Sequence, residues 1–387
     1  MFKKRYAAII SEYNPFHYGH LYQIECLKKD YDGIICIMSG NLVQRGEVAV
    51  ADKYIRAKAA LMCGASLVVE LPFPFCMLSA KDFASAGVYI AASLGVEALG
   101  FGCEDDFSLL TRISDVITDI SFEKNLNNLI KFEKNLSFPK AKEKLLESIL
   151  GAASAEVIRK PNNILTLEYL AAIKKGGYGI LPHPVKRDMS LRSSSSIRKE
   201  QSREAMLSLL PPESSGVYTE LNESKFPRRT DNLSQYIIGT LRNNINYNDF
   251  YGTTKDLFNI IMSTAQNAST FSELIEACQN ALYTEARVRR SVLSMVFNIS
   301  TEIALCKPSY TMLLAADSEG CTFLKNRKKQ FGIPVITKPS HIKKESNEVK
   351  VAFIREAELD NVLALSAPKA ESINLMVKTP FILNNIR

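Results

Sequence analysis

Four histidines stand in the chain, and two of them are three residues apart in His17-Tyr18-Gly19-His20. On a helix, positions i and i+3 share a face, so both imidazoles would point the same way beside the positive N-terminal end. Asn14-Pro15, just upstream, is a helix-start or turn signal. Gly19 leaves a ligand free to approach the backbone. Backbone N–H groups, the helix dipole and two ring donors together make a site for phosphate. The same four residues also arise by chance, and it is their position after an apolar run that gives them weight. A second element is Ser193-Ser194-Ser195-Ser196-Ile197-Arg198. It sets hydroxyl donors and a guanidinium at a predicted helix start. Such a segment can clamp the outer phosphates of a triphosphate and stabilise charge on a leaving pyrophosphate. It also reads as a serine-rich surface loop. Neither GxxxxGK[ST] nor GxGxxG is present, which disfavours a P-loop kinase or a nicotinamide-type dinucleotide enzyme.

These residues need elements to position them. Short apolar runs at 6–10, 33–38, 66–71 and 98–102 alternate with helically spaced stretches at 20–29, 53–63 and 81–94. That alternation predicts an α/β fold, a Rossmann-like parallel sheet with helices on both faces. Ligands in such a sheet bind beyond the carboxyl ends of the strands. The stretch from Asp105 to Leu150 is helical in pattern. Pro161-Asn162-Asn163 opens a helix to about Lys175, and a last strand runs to Val185. Residues 187–196 read as polar and flexible, with a helix starting at Ile197. Pro211-Pro212 and the Ser/Glu-rich stretch to Arg229 read as a linker or loop. Residues 231–300 are largely helical, and the tail mixes strands at 312–315 and 333–336 with a basic helix. The expected division is a catalytic domain over 1–205 and a mainly helical C-terminal domain over 206–387, the latter contributing to RNA binding.

At 387 residues, with 46% apolar and 23% charged residues, the chain has the composition of a folded globular protein. No apolar run approaches the roughly 18 residues of a membrane span, so no membrane association is expected. The apolar stretch at 6–10 is too short for a secretory signal. Eight cysteines are scattered without a CxxC pair, mostly inside apolar runs. They read as reduced, core-packed thiols of a cytoplasmic protein, with no metal site of its own. A formal charge of +7 is compatible with nucleic acid. Lys186, Arg187, Arg192, Arg198, Lys199 and Arg203 crowd the proposed site. Arg228-Arg229, Arg287-Val288-Arg289-Arg290 and Lys325 to Lys329 add basic clusters that favour phosphate binding. Lys53 and Arg56 share a helix face, expected to be solvated.

Several motifs recur together: Glu12-Tyr13-Asn14-Pro15-Phe16-His17-Tyr18-Gly19-His20, Met38-Ser39-Gly40, Gln44-Arg45-Gly46-Glu47, Glu70-Leu71-Pro72, Phe101-Gly102 and Pro161-Asn162-Asn163-Ile164-Leu165. The string resembles the bacterial tRNA(Met) cytidine acetate ligase family of the HIGH-type nucleotidyltransferase superfamily. The motifs span 12–198; beyond them the likeness is one of layout and length. The resemblance implies that ATP, travelling with Mg2+, activates acetate as acetyl-adenylate with release of pyrophosphate. The acetyl group would then pass to the wobble cytidine of elongator tRNA(Met), forming N4-acetylcytidine. It also implies an ATP site made by Ile10, Ser11, Glu12, Tyr13, Asn14, Pro15, Phe16, His17, Tyr18, Gly19, His20, Leu21, Tyr22 and Gln23, with Gly102, Asn162, Arg187, Ser196 and Arg198. His17, His20 and Arg198 would be the catalytic groups. Asn162 reads equally as a helix N-cap. Placement after the second strand suggests Ser39, Gln44 and Arg45 for the acetate carboxylate or the cytidine. Only Asp188 to Arg192 separate Arg187 from the serine run, a shorter loop than the family pattern carries. Two other readings are a nucleotidyltransferase for a small phosphorylated coenzyme precursor, and a non-catalytic RNA-binding protein on a decayed nucleotidyltransferase scaffold.

Overall fold

The computed structural model describes residues 4–133, 136–200, 202–243, 245–280, 282–372 and 380–383. Continuous apolar runs become the central strands β1 (Tyr6–Ser11), β2 (Gly33–Ser39), β5 (Leu67–Leu71) and β6 (Ala98–Cys103), and the more polar, partly exposed β7 (Leu181–Lys186) lies at the edge beside β6. A hairpin of β3 (Leu42–Val43) and β4 (Glu47–Val48) follows β2. Helices α1 (Tyr18–Leu27), α2 (Lys53–Met62) and α3 (Ala80–Leu94) fill the crossovers. Next come α4 (Phe107–Thr118), α5 (Ile120–Phe132), α6 (Phe138–Leu150), α7 (Ala152–Val157) and α8 (Pro161–Gly176). After β7 lie α9 (Ser194–Arg198), α10 (Arg203–Ser208), α11 (Pro212–Thr219), α12 (Ser234–Arg242), α13 (Lys255–Ala265), α14 (Phe271–Cys278), α15 (Glu285–Val296) and α16 (Thr301–Leu305). The chain ends with β8 (Thr311–Ala316), α17 (Ser318–Arg327), β9 (Val335–Ile336), α18 (Asn347–Leu363) and β10 (Phe381–Ile382).

The sheet order is β10-β8-β5-β2-β1-β6-β7, with β9 beside β8. β1, β2, β5, β6 and β7 are parallel; β8 runs antiparallel to β5. The fold is the expected α/β one. The sheet takes strands from both sides of position 205, because β8 from the second half extends it past β5. Side chains alternate faces along each strand. Tyr6, Ala8 and Ile10 join a core with α3, α4, α8 and the α12–α15 helices. Ala7 and Ile9 join the other core, with α1, α2, α11 and α18. From β1 the chain moves to β2 and β5 on one side, then returns to β6 on the other. This reversal between β1 and β6 is the topological switch point, where open α/β sheets hold ligands.

Three expectations are corrected. The stretch after Pro211 is not a linker: Pro212 opens α11, which buries Ser214, Val217 and Tyr218. The Ser214 hydroxyl donates to the Phe16 carbonyl at 3.0 Å, fastening α11 behind the first crossover. The helix expected from Ile197 starts at Ser194, because the Ser193 hydroxyl caps the Ser196 N–H at 3.2 Å. Lys53 and Arg56 do share a face of α2, but it is the inner one, and both are fully buried. Arg56 donates to the carbonyls of Glu12, Ser39, Gly40 and Ala51. It thereby ties together the chain leaving β1 and β2. All eight cysteines are free; Cys306 and Cys321 are exposed and Cys26 is half-buried, the others buried.

Candidate active site

His17 is the N-cap of α1, in extended conformation. Its Nδ1 accepts the Gly19 N–H at 3.0 Å, and His20 Nδ1 accepts the His17 N–H at 3.3 Å. This is a capping box made by two imidazoles. Because each Nδ1 accepts a backbone proton, each ring carries its own proton on Nε2, the nitrogen free to meet a ligand. The rings stack with centroids 3.8 Å apart. Tyr13 lies edge-on to His20 at 4.8 Å, and Phe16 lies 5.5 Å from it. Gly19 is required for a reason the sequence did not suggest: a Cβ there would sit 2.8 Å from His17 Cε1.

Burial pushes the His17 imidazole down to about 4, with Arg187 and Arg198 adding to the effect. Burial and its neighbours His17 and Arg187 hold His20 well below the usual range. Both rings are therefore neutral N–H donors near neutral pH. In an unfolded chain His17 would titrate near 6.5, so between that pH and about 4 the folded state binds fewer protons. Stability is expected to fall as the pH drops through this window, by about 3 kcal/mol for His17 alone. Urea denaturation across the window checks this. His17→Asn keeps an N-cap acceptor and is expected to lose less stability on acidification than the wild type.

A cleft of about 520 Å³ opens beyond the ends of β1, β6 and β7, at the switch point. That volume suits a small-molecule ligand. His17, Gly19 and His20 line it, as do Ile10, Ser11, Glu12, Tyr22 and Gln23. A Cβ at Gly102 would meet no atom within 4 Å, so the β6 end is open to the cleft. Asn162 and Arg187 also line it, and both are held by one carboxylate. Asn162 Nδ2 donates to Glu104 Oε1, and Arg187 Nη1 lies 3.5 Å from the same oxygen. The N-cap of α8 is Lys160, so Asn162 is not the cap. Arg198 lines the cleft with Ser193, Ser194 and Ser195. Its Nη1 donates to the Asn14 carbonyl at 2.9 Å, and Asn14 Oδ1 accepts the Val50 N–H at 2.8 Å. Gln44 and Arg45 reach the rim: the Gln44 N–H donates to Glu12 Oε1 at 2.9 Å, and Arg45 Nη1 to Ser195 Oγ at 3.2 Å.

The other expected site residues stand behind this wall. Tyr13, Asn14, Pro15 and Phe16 are buried beneath the imidazoles. Leu21 packs on the core, and Tyr18 faces outward. The Ser196 hydroxyl donates to the Ser193 carbonyl at 2.8 Å. Ser39 is fully buried and does not line the cleft; Arg56 takes its carbonyl, and its hydroxyl has no partner. The cleft also has an apolar wall, which includes Phe83, Phe101, Leu165 and Tyr169. Of these, only Phe101 and Leu165 fell within a motif read from the sequence. Glu104 was legible in principle, since it directly follows a parallel strand at its carboxyl end.

The basic clusters are narrower as phosphate surfaces than the sequence suggested. Arg228 is buried against Glu371, and Arg203 donates to the Tyr218, Thr219 and Leu221 carbonyls at the C-terminal end of α11. Arg327 pairs with Glu97 and lies over Tyr6 and Phe323. Lys186, Arg192, Lys199, Arg229, Lys325, Lys328 and Lys329 remain exposed. Among the described residues, no group of three or more His, Cys, Asp or Glu is placed to hold a metal ion. No helix among them is long and apolar enough to cross a membrane.

The model of the HIGH Nucleotidyl Transferase family matches residues 4–374. The tRNA(Met) cytidine acetate ligase of Thermoanaerobacter sp. is 33% identical over 366 residues, covering 89% of this chain and 91% of the relative. That of Acetivibrio thermocellus is 32% identical, covering 88% and 90%. The crystal structure of Thermotoga maritima TmcAL bound with alpha-thio ATP superposes with a TM-score of 0.89 at 27% identity, covering 98% of this chain and all of the other. The chain belongs to the HIGH nucleotidyltransferase family and, within it, to the tRNA(Met) cytidine acetate ligases.

Proposed function

We propose that this chain joins acetate to the wobble cytidine of elongator tRNA(Met) at the expense of ATP. Acetate oxygen attacks the α-phosphorus, the bond to the bridging oxygen breaks, and pyrophosphate leaves. The cytidine N4 amine then attacks the acetyl carbon, loses a proton and expels AMP, leaving N4-acetylcytidine. The observation that carries this reading is the pair of stacked, neutral imidazoles capping α1 at the switch point, with Arg198 on the same cleft. Acetate is a weak nucleophile, so the protein's task is alignment and charge stabilisation. His17 and His20 donate from Nε2 to phosphate oxygens without bringing a positive charge into a buried site. Arg198, with the serine hydroxyls, takes the charge that builds on departing pyrophosphate. Asn162 and the bare backbone of Gly102 hold the adenosine, and Arg187 meets phosphate. Gln44 and Arg45 receive acetate or the cytidine. Mg2+ arrives with ATP rather than in a protein cage. This reading assigns the work to the cytoplasm, which free thiols suit. Exposed Lys186, Arg192 and Lys199 at the cleft mouth meet the RNA backbone, so tRNA affinity should weaken as salt rises.

The test is mass spectrometry of the tRNA(Met) anticodon nucleosides after incubation with ATP and acetate, with acetate-dependent exchange of pyrophosphate into ATP measured without tRNA. N4-acetylcytidine and exchange are both expected. Exchange that requires a phosphorylated small molecule instead would favour a coenzyme-precursor nucleotidyltransferase. No ATP turnover at all would favour a non-catalytic RNA-binding protein. Gly102→Val adds a second check on the adenosine position. The protein has room for the side chain, so the fold should survive, while affinity for a non-hydrolysable ATP analogue should fall by about tenfold or more.

A further inference from the structure

The hairpin turn between β3 and β4 touches both halves of the chain. Gly46 has φ +73, and a Cβ on it would lie 2.9 Å from both Arg289 Cβ and the Arg290 backbone N. The turn is therefore pressed directly onto α15. Arg290 Nη1 donates to the Gln44 carbonyl at 3.2 Å. One residue past Gly46, Glu47 presents its carboxylate to two guanidiniums. Oε1 accepts from Arg289 Nη1, and Oε2 lies 3.4 Å from Arg198 Nη2. The second terminal nitrogen of Arg289 is taken by Glu285, one turn earlier on α15. Arg198 is thus held at one nitrogen by the Asn14 carbonyl and at the other, loosely, by Glu47 and Ser195 Oγ.

A half-buried carboxylate needs a close cationic partner, because its desolvation is otherwise uncompensated. Arg289 supplies that partner from outside the cleft, which leaves Arg198 at the longer distance and aimed inward. Without Arg289, the nearest cation left to Glu47 among its ion pairs is Arg198, which would be drawn out of the cleft into a tight pair. We propose that Arg289 is a positioning residue that acts through Glu47 to keep Arg198 directed at the outer phosphates of ATP. This inference rests on the ligase reading of the cleft. It makes a helix of the second half part of the machinery for the first chemical step.

The test is a double-mutant cycle on acetate-dependent pyrophosphate exchange. Arg289→Ala is expected to lower kcat by about 10–10²-fold with little change in KM for ATP, as a misaimed group loses interactions specific to the transition state. In an Arg198→Ala background the same substitution should have little further effect. Arg289→Lys keeps a cation against Glu47 and should recover most of the rate. With Glu47→Gln, which removes the charge needing a partner, Arg289→Ala should also lose its effect. If Arg289→Ala fails to unfold cooperatively, Arg289→Lys and Glu47→Gln carry the test. Unchanged exchange in Arg289→Ala, or an equal loss with and without Arg198, would overturn the proposal. If the wild type shows no acetate-dependent exchange, the ligase reading has failed and the proposal falls with it, an outcome distinct from wild-type exchange that Arg289→Ala leaves unchanged.

Discussion

His20→Ala is expected to cut acetate-dependent pyrophosphate exchange by about 10²–10³-fold, the cost typical of removing one donor aimed at developing charge. Two polar losses combine in that variant. The Nε2 proton disappears from the cleft, and so does the Nδ1 acceptor that holds the His17 N–H. The His17 ring also loses the face it stacks on at 3.8 Å. His20→Asn separates the two losses, since its side-chain oxygen can stand near the position of Nδ1 and cap the same N–H. That variant should regain thermal stability relative to His20→Ala while exchange stays low. The loss should fall on kcat more than on KM, because a neutral donor contributes most when negative charge peaks. Exchange within about threefold of wild type in both variants would remove His20 from the chemistry.

How much of this was written in the sequence depends on how far apart the partners lie. Four of the five parallel strands, β1, β2, β5 and β6, were legible because each is an apolar run buried on both sides, and a run is a local property; β7, partly exposed at the sheet edge, showed only as a short stretch after a glycine turn. The imidazole pair was legible because i, i+3 spacing is local too. What the spacing could not give was the ring protonation, which depends on Nδ1 bonds within the cap and on guanidiniums about 170–180 positions away. Lys53 and Arg56 were misread for the same reason. A charged pair on one helix face is usually solvated; here Glu70, with Glu356 and Asp360 on a helix some 300 residues later, makes the inner face tolerable for Lys53, and four backbone carbonyls do so for Arg56. Pro211-Pro212 was misread because proline marks both a loop and a helix start. Tyr218, buried against α2's side of the sheet, decides between them. The clamp on Arg198 was invisible, since the basic run at 287–290 looks like a solvated surface until Glu47 is folded against it.

The second large effect follows from that buried charge. Lys53→Met is expected to lower the unfolding free energy by about 3–5 kcal/mol at neutral pH, the cost of stranding buried charges. Lys53 Nζ lies 2.6 Å from Glu70 Oε1, 2.9 Å from Asp360 Oδ2 and 3.3 Å from Glu356 Oε1, all inaccessible to water. Asn41 Nδ2 donates to Asp360 Oδ1, and the Tyr310 hydroxyl to Glu356 Oε2, each at 2.7 Å. Burial opposes the charge on Lys53, yet Asp360, Glu356 and Glu70 together hold its ammonium well above the usual range. Burial and Glu356 push Glu70 up. Burial also works against Glu356, but Lys53 pulls that carboxylate below its ordinary value. Methionine fills the space and removes the cation, and the folded variant must then protonate its carboxylates. Their folded affinity for protons rises above the unfolded value. The variant's stability is thus best retained in acid and is lost as pH rises through the carboxylates' raised values. The deficit against wild type should grow from about pH 4 to pH 7 in urea titrations. The cluster lies under the start of the β2–β3 turn, where a Cβ on Gly40 would touch Glu70 Oε1 at 2.7 Å. Chain loosening there would reach Gln44 and Arg45 on the rim of the cleft. A variant within about 1 kcal/mol of wild type at pH 7, with no pH trend, would mean that the three carboxylates manage their charge without Lys53.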